Sequence, residues 1–459
     1  MWIPNLPTDG TPIFQQILAA IERSISDGDL ESGARLPPQR ALAKRLGVSV
    51  GTITRAYEEA DRRGLTIGHV GRGTFVARAH EVEGVRNPGQ FIDLSCNYPP
   101  MVAAERLLVE TWGRVRRRPE FLDALNYGPI EGLPQHRHVA ASWLSSSAGI
   151  DAADPNRIVI TSGGQASMDL VINHLCEPGD TILAEELTFS GMKALAQHRG
   201  YVLKGIAMDD EGIRPDLLEA AVKSCGARVL YTMPTLQNPT SRSMSLVRRK
   251  DLIRVARHLK LTIVEDDNYA VYAEKRAALP PLVSLAPDIC YYVGGLSKSI
   301  APGLRTGYVL APDSASTSAI AWGVRASCFA SQSMGFLITQ QALEDGAAEQ
   351  IIKENRKILR GRGQLLRGVL GLALQPGAQY SPHVWMPLSA PEAARIENRL
   401  MSENIRVTGA LVPALEGAKT TGLRFCIGAT RRDADFERAL TAIKRTLEKA
   451  DNLEQRAIV

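Results

Sequence analysis

Apolar and polar positions near the start of the chain follow the pattern of a small helical domain. Between Ile13 and Ile21, the apolar residues lie on one face of an amphipathic helix. Ser49 is a typical N-cap for a later helix, and Gly71-Arg72-Gly73 suits a hairpin turn. The predicted elements are helices near 13–21, 39–46 and 49–60 and strands at 65–70 and 74–76. This order predicts a winged helix-turn-helix, mainly α with a β-hairpin wing.

The rest of the chain alternates short apolar runs with helical stretches. Strands are predicted at 157–161, 181–184, 229–232, 261–265, 291–293, 383–387 and 422–427. Helices are predicted at 166–176, 246–258 and 336–355 and after Asp433. The alternation favours an α/β domain with a mostly parallel sheet covered by helices. A smaller α+β part follows near residues 370–450.

Composition suggests where these domains meet. Residues 77–92 carry charges, glycines and a proline without periodicity, which is typical of an interdomain linker. We therefore predict a helix-turn-helix domain at 10–78, a linker at 79–92 and an α/β domain at 93–459. Within the α/β domain, the large part extends to about residue 365 and the small part covers about 366–459.

Composition and charge also exclude several classes of protein. The 459 residues are 44% hydrophobic and 22% charged, unlike a disordered or fibrous chain. No apolar run approaches the roughly 18 residues of a membrane-spanning helix, and the first ten residues lack a basic signal-peptide region. Six widely spaced cysteines favour a reducing cytoplasm and no zinc site. Segment 33–78 has nine Lys and Arg against three Asp and Glu, while the whole chain carries only +5, which indicates nucleic-acid binding by this segment.

The second helix of a helix-turn-helix pair enters the major groove of double-stranded DNA. We therefore predict groove contacts from residues 49–55 and phosphate contacts from Arg35, Arg40 and Arg72. The candidate DNA-binding residues are Arg35, Arg40, Ser49, Thr52, Thr54, Arg55 and Arg72. A solvated basic surface is the alternative explanation for such charges. We favour that alternative for the arginine cluster between Arg114 and Arg118.

A lysine and an aspartate follow two of the predicted strands. Lys298 lies in a loop of small residues after strand 291–293, and Arg305 comes seven positions later. Folds with parallel sheets bind ligands at such strand ends. A lysine there can form a Schiff base with an aldehyde cofactor, and an arginine can bind a phosphate. Asp266 follows strand 261–265 as a possible metal ligand, salt-bridge partner or partner of a ring nitrogen, but no His or Cys lies nearby at metal-ligand spacing.

Two further segments complete this set of motifs. Asn238 lies in Gln-Asn-Pro-Thr after another strand, and residues 161–165 lead into a helix N-terminus whose N–H groups suit a phosphate. Residues 35–76, RLPPQRALAKRLGVSVGTITRAYEEADRRGLTIGHVGRGTFV, resemble the DNA-binding domain of the GntR family of bacterial transcription regulators, although Val50 replaces the usual arginine. The loop GGLSKSIAPGLR, with Asp266 and Asn238, resembles fold type I, class I/II aminotransferases over residues 93–450. The combination is similar to the MocR subfamily of regulators.

The aminotransferase resemblance implies that pyridoxal 5′-phosphate (PLP) is the cofactor and that Lys298 is the catalytic residue, forming the Schiff base. It implies that Asp266 pairs with the pyridine nitrogen and that Arg424 binds the carboxylate of a substrate or effector. Tyr127 matches the tyrosine that reaches the phosphate of the neighbouring subunit, so a homodimer is expected. The implied cofactor-binding residues are Gly164, Gln165, Phe189, Asn238, Asp266, Tyr269, Ser297, Lys298, Arg305 and, across the dimer, Tyr127.

These expectations describe a cytoplasmic, DNA-binding transcription regulator that holds PLP and responds to a small amino compound. The fold class is a winged helix-turn-helix joined to an α/β fold type I PLP-dependent transferase domain with a small α+β part. Two alternatives stay open. The chain could be an active PLP-dependent aminotransferase that carries a DNA-binding head, or a regulator that senses free PLP. No metal and no membrane is expected.

Overall fold

The computed structural model describes residues 2–4, 6, 11–26, 29–30, 34–62, 65–69, 73–76, 91–151, 153–274, 279–375 and 378–457. The chain divides into two compact units, Met1–Phe91 and Ile92–Val459. The predicted linker at 79–92 lies outside the described residues except for its last two positions. Ile92 already belongs to a strand, and its N–H donates to the carbonyl oxygen of Asn404 (2.8 Å).

The N-terminal unit consists of three helices and a hairpin. Its elements are α1 (Ile13–Ser26), α2 (Gln39–Leu46), α3 (Val50–Arg62), β1 (Thr66–His69) and β2 (Gly73–Val76). The helices enclose an apolar core that includes Ile17, Leu42 and Ile53, and β1 pairs antiparallel with β2. Gly47 ends α2 in the left-handed region (φ 67°), which a residue without a Cβ adopts at little cost. The predicted winged helix-turn-helix is confirmed.

The C-terminal unit is built around a seven-stranded sheet. In chain order the described strands of the whole unit, including those of its smaller sheets, are β3 (Ile92–Asp93), β4 (Ile158–Thr161), β5 (Thr181–Glu185), β6 (Val202–Ile206), β7 (Met208–Asp209), β8 (Gly212–Ile213), β9 (Val229–Thr232), β10 (Thr262–Asp266), β11 (Cys290–Gly295), β12 (Gly307–Leu310), β13 (His383–Pro387), β14 (Ile405–Arg406) and β15 (Gly422–Cys426). The strand order in the large sheet is β4-β12-β11-β10-β9-β5-β6. Strand β12 is antiparallel to both neighbours, and the other pairs are parallel. The predicted mostly parallel sheet is confirmed, whereas its strands β6 and β12 were not predicted.

Helices cover this sheet and continue into the smaller part. They are α4 (Val102–Val115), α5 (Pro134–Ala148), α6 (Gly164–Leu175), α7 (Ser190–Arg199), α8 (Leu218–Cys225), α9 (Leu246–His258), α10 (Leu282–Leu285), α11 (Ser314–Cys328), α12 (Met334–Glu344), α13 (Ala347–Leu370), α14 (Ala390–Ser402) and α15 (Asp433–Ala457). Short 3-10 helices lie at Pro119–Phe121, Asp123–Leu125, Pro155–Arg157, Pro215–Leu217, Ala270–Tyr272 and Pro302–Leu304. Among the described residues, no helix combines the length and apolarity that a membrane crossing requires.

One predicted helix is wrong in its extent. The sequence pattern predicts a single helix at 336–355, but the structure has α12 and α13 with a break between them. Gly346 lies in the break in the left-handed region (φ 77°), and the side chain of Asp345 accepts the N–H of Ala347 (3.1 Å). Both helices present apolar residues to the same core, so the periodicity continues across the break.

Candidate functional site

The lysine loop begins at the carboxyl end of the buried strand β11. Lys298 Nζ donates a hydrogen bond to the backbone oxygen of Asn97 (2.9 Å), and Tyr272 Oη donates to the backbone oxygen of Lys298 (2.9 Å). Burial lowers the pKa of the Lys298 amine, because the charged form loses hydration. Burial therefore shifts the amine towards its neutral form, which is the nucleophilic form of lysine.

Asp266 ends β10, the strand that pairs with β11. Its carboxylate is buried and accepts two hydrogen bonds, from Tyr231 Oη to Oδ2 (2.7 Å) and from Asn268 Nδ2 to Oδ1 (2.5 Å). Burial raises the pKa of this carboxyl, and the two donors and the charge of Lys298 oppose the increase. The arrangement fixes the carboxylate in one orientation beside the lysine loop.

A buried polar chain links this pocket to the small part of the unit. Asn97 Nδ2 donates to Tyr269 Oη (2.8 Å) and lies 3.0 Å from His383 Nδ1. His383 Nε2 lies 3.1 Å from the backbone oxygen of Gln237, which can only accept, so Nε2 carries the proton. Burial lowers the pKa of His383 to about 3, so the imidazole is neutral.

Arg424 and Asn238 meet in the same region. Arg424, on β15, donates from Nη1 to Asn238 Oδ1 (2.5 Å) and from Nη2 to the backbone oxygen of Ser95 (2.7 Å) and to Thr408 Oγ1 (2.9 Å). Its Nε is buried and has no acceptor within the described residues. The guanidinium therefore keeps donor capacity for a ligand carboxylate.

The start of α6 suits a phosphate group. Gly163 precedes the helix at φ 102°, and a Cβ there would lie 2.9 Å from Arg305 Nη2, so the glycine allows this close approach. Arg305 Nη2 donates to the backbone oxygen of Ser162 (3.1 Å), which places its charge beside the free N–H groups of α6. Gly164 similarly lies against Asn268. Ser297 Oγ is buried without a partner within the described residues, so a hydroxyl is also available.

Two other predicted cofactor residues lie beside the start of α6. Gln165 Nε2 donates to the backbone oxygen of Gly191 (3.0 Å), and Phe189 precedes α7. A Cβ at Gly191 would lie 2.3 Å from the Phe189 ring and 2.4 Å from Gln165 Oε1, so the two side chains converge on this glycine. The residues thus fit PLP: an amine, a carboxylate partner, ring neighbours and a phosphate cradle.

Tyr127 does not share these contacts. Its side chain is 81% exposed, and its ring packs against Phe329 with 4.7 Å between the ring centroids. Phe329 also lies under the guanidinium of Arg325 (3.6 Å). This exposed aromatic surface is available to a neighbouring subunit.

Among the candidate DNA contacts, Arg40 lies on α2, and Thr52, Thr54 and Arg55 lie on α3. Several of them have partners within the unit. Thr52 N donates to Ser49 Oγ (3.1 Å), which caps α3, and Thr54 Oγ1 donates to Gln39 Oε1 (2.8 Å). The Arg55 guanidinium stacks 4.1 Å from the Phe14 ring. Arg40 is exposed in the first turn of α2, and Arg35 approaches Gly73 of the wing. Arg72 lies outside the described residues.

The arginine cluster between 114 and 118 is partly structural. Arg114 pairs with Asp345 (2.7 Å), and Arg118 pairs with Glu344 (2.5 Å) and Glu120 (3.3 Å). Arg116 and Arg117 are exposed.

Several residues of the pocket were not predicted from the sequence: Asn97, Tyr231, Asn268, Tyr272 and His383. Asn268 was within reach of sequence reasoning, since it lies two positions after Asp266 in the same strand-end segment. Asn97 contacts Tyr269 and His383 across 172 and 286 residues of chain. No local pattern marks such distant pairs.

Comparisons with known proteins assign both units of the chain to families. Residues 90–443 match the family of class I and II aminotransferases, and residues 13–76 match the gntR family of bacterial regulatory proteins. The chain is 30% identical over 316 residues to the uncharacterized HTH-type transcriptional regulator YdeF of Bacillus subtilis, covering 68% of this chain and 67% of that protein. It is 27% identical over 392 residues to the vitamin B6 salvage pathway transcriptional repressor PtsJ of Salmonella typhimurium, covering 83% and 86%.

A solved structure shows the same fold in the C-terminal unit. The α-aminoadipate aminotransferase LysN of Thermus thermophilus matches with a TM-score of 0.70 at 24% identity, covering 79% of this chain and 94% of that one. The predicted fold, family and cofactor are thereby confirmed. The chain belongs to the class I and II aminotransferase family, whose cofactor is PLP, and its gntR-type DNA-binding domain makes it a transcriptional regulator of the MocR type.

Proposed function

We propose that this regulator holds PLP as a Schiff base with Lys298 and changes its DNA binding when a small amino compound enters the pocket. The observation that carries the proposal is the buried Lys298 amine, whose pKa is lowered by burial, in one pocket with Asp266 and Arg424. A surface lysine would instead be charged and hydrated.

Each side chain has a task that follows from its contacts. When bound, PLP supplies an aldehyde for the lysine amine and a ring that accepts electrons. The Asp266 carboxylate, held by Tyr231 and Asn268, keeps a proton on the ring nitrogen. Tyr269 and Asn238 orient the ring as hydrogen-bond partners. Ser297, Arg305 and the first N–H groups of α6 bind the phosphate.

Arg424 selects the effector by its carboxylate. The planar guanidinium binds a carboxylate with two parallel hydrogen bonds, which a lysine cannot do. To do so it exchanges its present acceptors, Asn238 Oδ1 and the backbone oxygen of Ser95. Because Ser95 and Thr408 flank β3 and β14, this exchange changes contacts in the small part of the unit. Such an effector regulates DNA binding only if it has different affinities for two arrangements of the protein.

The absorption spectrum of the purified protein with PLP tests this proposal. We expect a Schiff-base band that is absent in Lys298→Ala, present in the matched control Lys357→Ala, and shifted by one class of amino acid. Lys357 is an exposed lysine on α13. Lys298→Ala is expected to keep DNA binding but to lose the effector response. An unchanged effector response in Lys298→Ala would contradict the proposal.

The absorption band and the DNA-binding response together separate the two alternative functions. Repeated loss and return of the band with amino acid and 2-oxo acid, over many turnovers per site, would identify an active aminotransferase. A DNA-binding response to PLP alone, without any amino compound, would identify a sensor of the free cofactor. Because the chain is similar to PtsJ, whose name refers to vitamin B6 salvage, DNA binding with PLP alone must be measured as well.

A further inference from the structure

A second cavity lies where α13, β13 and the segment after Asn238 meet. It has a volume of about 90 Å³. Its polar lining includes Thr240, Ser241, Arg242 and Arg367. Two arginines thus face a cavity whose described lining contains no Asp or Glu. Because Arg242 pairs with Asp210, the positive charge without a carboxylate partner at this cavity is that of Arg367, and such a charge attracts anions.

Arg367 differs from the other buried arginines of the unit. It is only 8% exposed, its Nη2 is fully buried, and no acceptor for it lies within the described residues. Arg249, in contrast, donates to the backbone oxygens of Met244 and Pro234, and Arg362 donates to three acceptors, including Asp433. A buried guanidinium nitrogen without an acceptor is costly, and Arg367 lines the cavity, so a ligand bound there can supply an acceptor.

The surroundings leave Arg367 as the strongest donor in the cavity. Thr240 Oγ1 donates to Gln237 Oε1 (2.7 Å), and Ser241 Oγ donates to the backbone oxygen of His383 (2.9 Å), so both hydroxyl protons are used. Arg242 already pairs with Asp210 (2.7 Å).

A glycine makes room for the Arg367 head group. Gly363 lies four residues earlier on α13, and a Cβ there would be 3.1 Å from Arg367 Nη2. The guanidinium therefore folds back over the helix at a position where no side chain opposes it.

We propose that this cavity is a second ligand site, distinct from the Lys298 pocket, that binds a small oxyanion through Arg367. A planar guanidinium offers two parallel N–H groups. A carboxylate and a phosphate each present two oxygen atoms that can accept them. Trp385 lines the same cavity and so reports on its occupancy. His383 lines it as well and contacts Asn97 in the lysine pocket, so the two sites share a wall.

The test uses the full chain saturated with PLP, so that the phosphate cradle at α6 is filled. Inorganic phosphate and acetate are titrated separately against sodium chloride at matched ionic strength. We expect a saturable rise in Tm with at least one of the two anions, because a ligand that binds only the folded state stabilises it. Trp385 fluorescence is expected to change over the same concentrations, and this signal disappears in Trp385→Phe while the Tm response stays. The anion that responds identifies the ligand class as phosphate-like or carboxylate.

Variants on one helix provide the control. Arg367→Gln is expected to weaken the anion response at least tenfold, and Arg367→Lys, which keeps the charge but loses the planar fork, is expected to weaken it as well. Arg360→Gln, an exposed arginine on α13, is expected to respond like the wild type. No saturable response to either anion, or an equal response in folded Arg367→Gln or Arg367→Lys, would overturn the proposal. The Schiff-base band is unaffected by these variants, so this result is independent of the function proposed above.

Discussion

At the first position of α3, an apolar side chain lies among polar neighbours that are already bonded. Val50 is 42% exposed. Ser49 and Thr52 share a hydrogen bond (2.8 Å), Thr54 donates to α2, and Arg55 stacks on α1. Val50 is therefore the side chain at this end of the helix with no polar commitment and a free surface, in the position where direct contact with bases is expected.

The chemistry of Val50 predicts which base it contacts. The apolar group that DNA presents in the major groove is the methyl group of thymine. We expect uracil in place of one thymine of the operator to weaken wild-type binding about fourfold, since one buried methyl group contributes roughly 0.8 kcal/mol. The same substitution should leave binding by Val50→Ser unchanged. Kd values on an operator selected in vitro, at fixed salt, check this, and a wild-type protein indifferent to uracil at every position would contradict it.

Residue-level prediction from the sequence succeeds where a residue type has a rare local context. Lys298 and Asp266 stand out because each follows an apolar strand directly, and parallel strands end at a common edge. Tyr231 does not stand out, since it lies within the apolar run of β9 and reads as core. Its hydroxyl nevertheless bonds Asp266 across 35 residues of chain. Only the pairing of β9 with β10 brings these two together.

At the scale of elements, β5 contains a carboxyl group that titrates near neutrality. Glu185 is fully buried, and its Oε1 accepts Thr232 Oγ1 (2.6 Å) and the N–H of Met233 (2.9 Å). Its Oε2 has no partner within the described residues. Burial raises the pKa of Glu185 from an ordinary 4.5 to about 7.

This raised pKa predicts how stability depends on pH. Between about pH 4.5 and pH 7, the folded state binds more protons at Glu185 than the unfolded state. The contribution of Glu185 to the free energy of unfolding is therefore complete at low pH and is lost as the pH rises through 7. Glu185→Gln mimics the protonated form. We expect its Tm to match the wild type near pH 5 and to exceed it at pH 8, with a difference on the order of a few kcal/mol in the free energy of unfolding. A Tm difference that does not change with pH would contradict this assignment.

The helices and strands were predicted well where the apolar periodicity agrees with residues that start or end an element, such as a capping serine or a proline. Helix α9 and strand β13 match the predicted bounds: the capping Ser245 precedes α9, and Pro387 is the last residue of β13. Strand β12 was missed because four apolar residues between two loops give no periodicity to detect. The break between α12 and α13 was missed because one glycine interrupts an otherwise continuous apolar pattern.

At the scale of the whole molecule, the exposed Tyr127 and Phe329 predict that the PLP site of one subunit is completed by a second copy of the chain. Tyr127 is 81% exposed, whereas Lys298 is only partly exposed and its Nζ donates to the backbone oxygen of Asn97. We expect Tyr127→Ala to bind PLP about tenfold more weakly or worse, because a hydrogen bond to a charged phosphate is lost.

Hybrid dimers establish which subunit supplies the tyrosine. In a dimer of one Lys298→Ala subunit and one Tyr127→Ala subunit, a tyrosine acting across the interface leaves one site with both residues and the other with neither. We therefore expect wild-type PLP affinity at half of the sites, measured by the Schiff-base band of doubly tagged, purified hybrids. The reversed hybrid, wild type with the double variant Lys298→Ala and Tyr127→Ala, separates the same residues and should bind PLP weakly. Tight binding in the reversed hybrid and weak binding in the first would mean that Tyr127 acts on the pocket of its own chain.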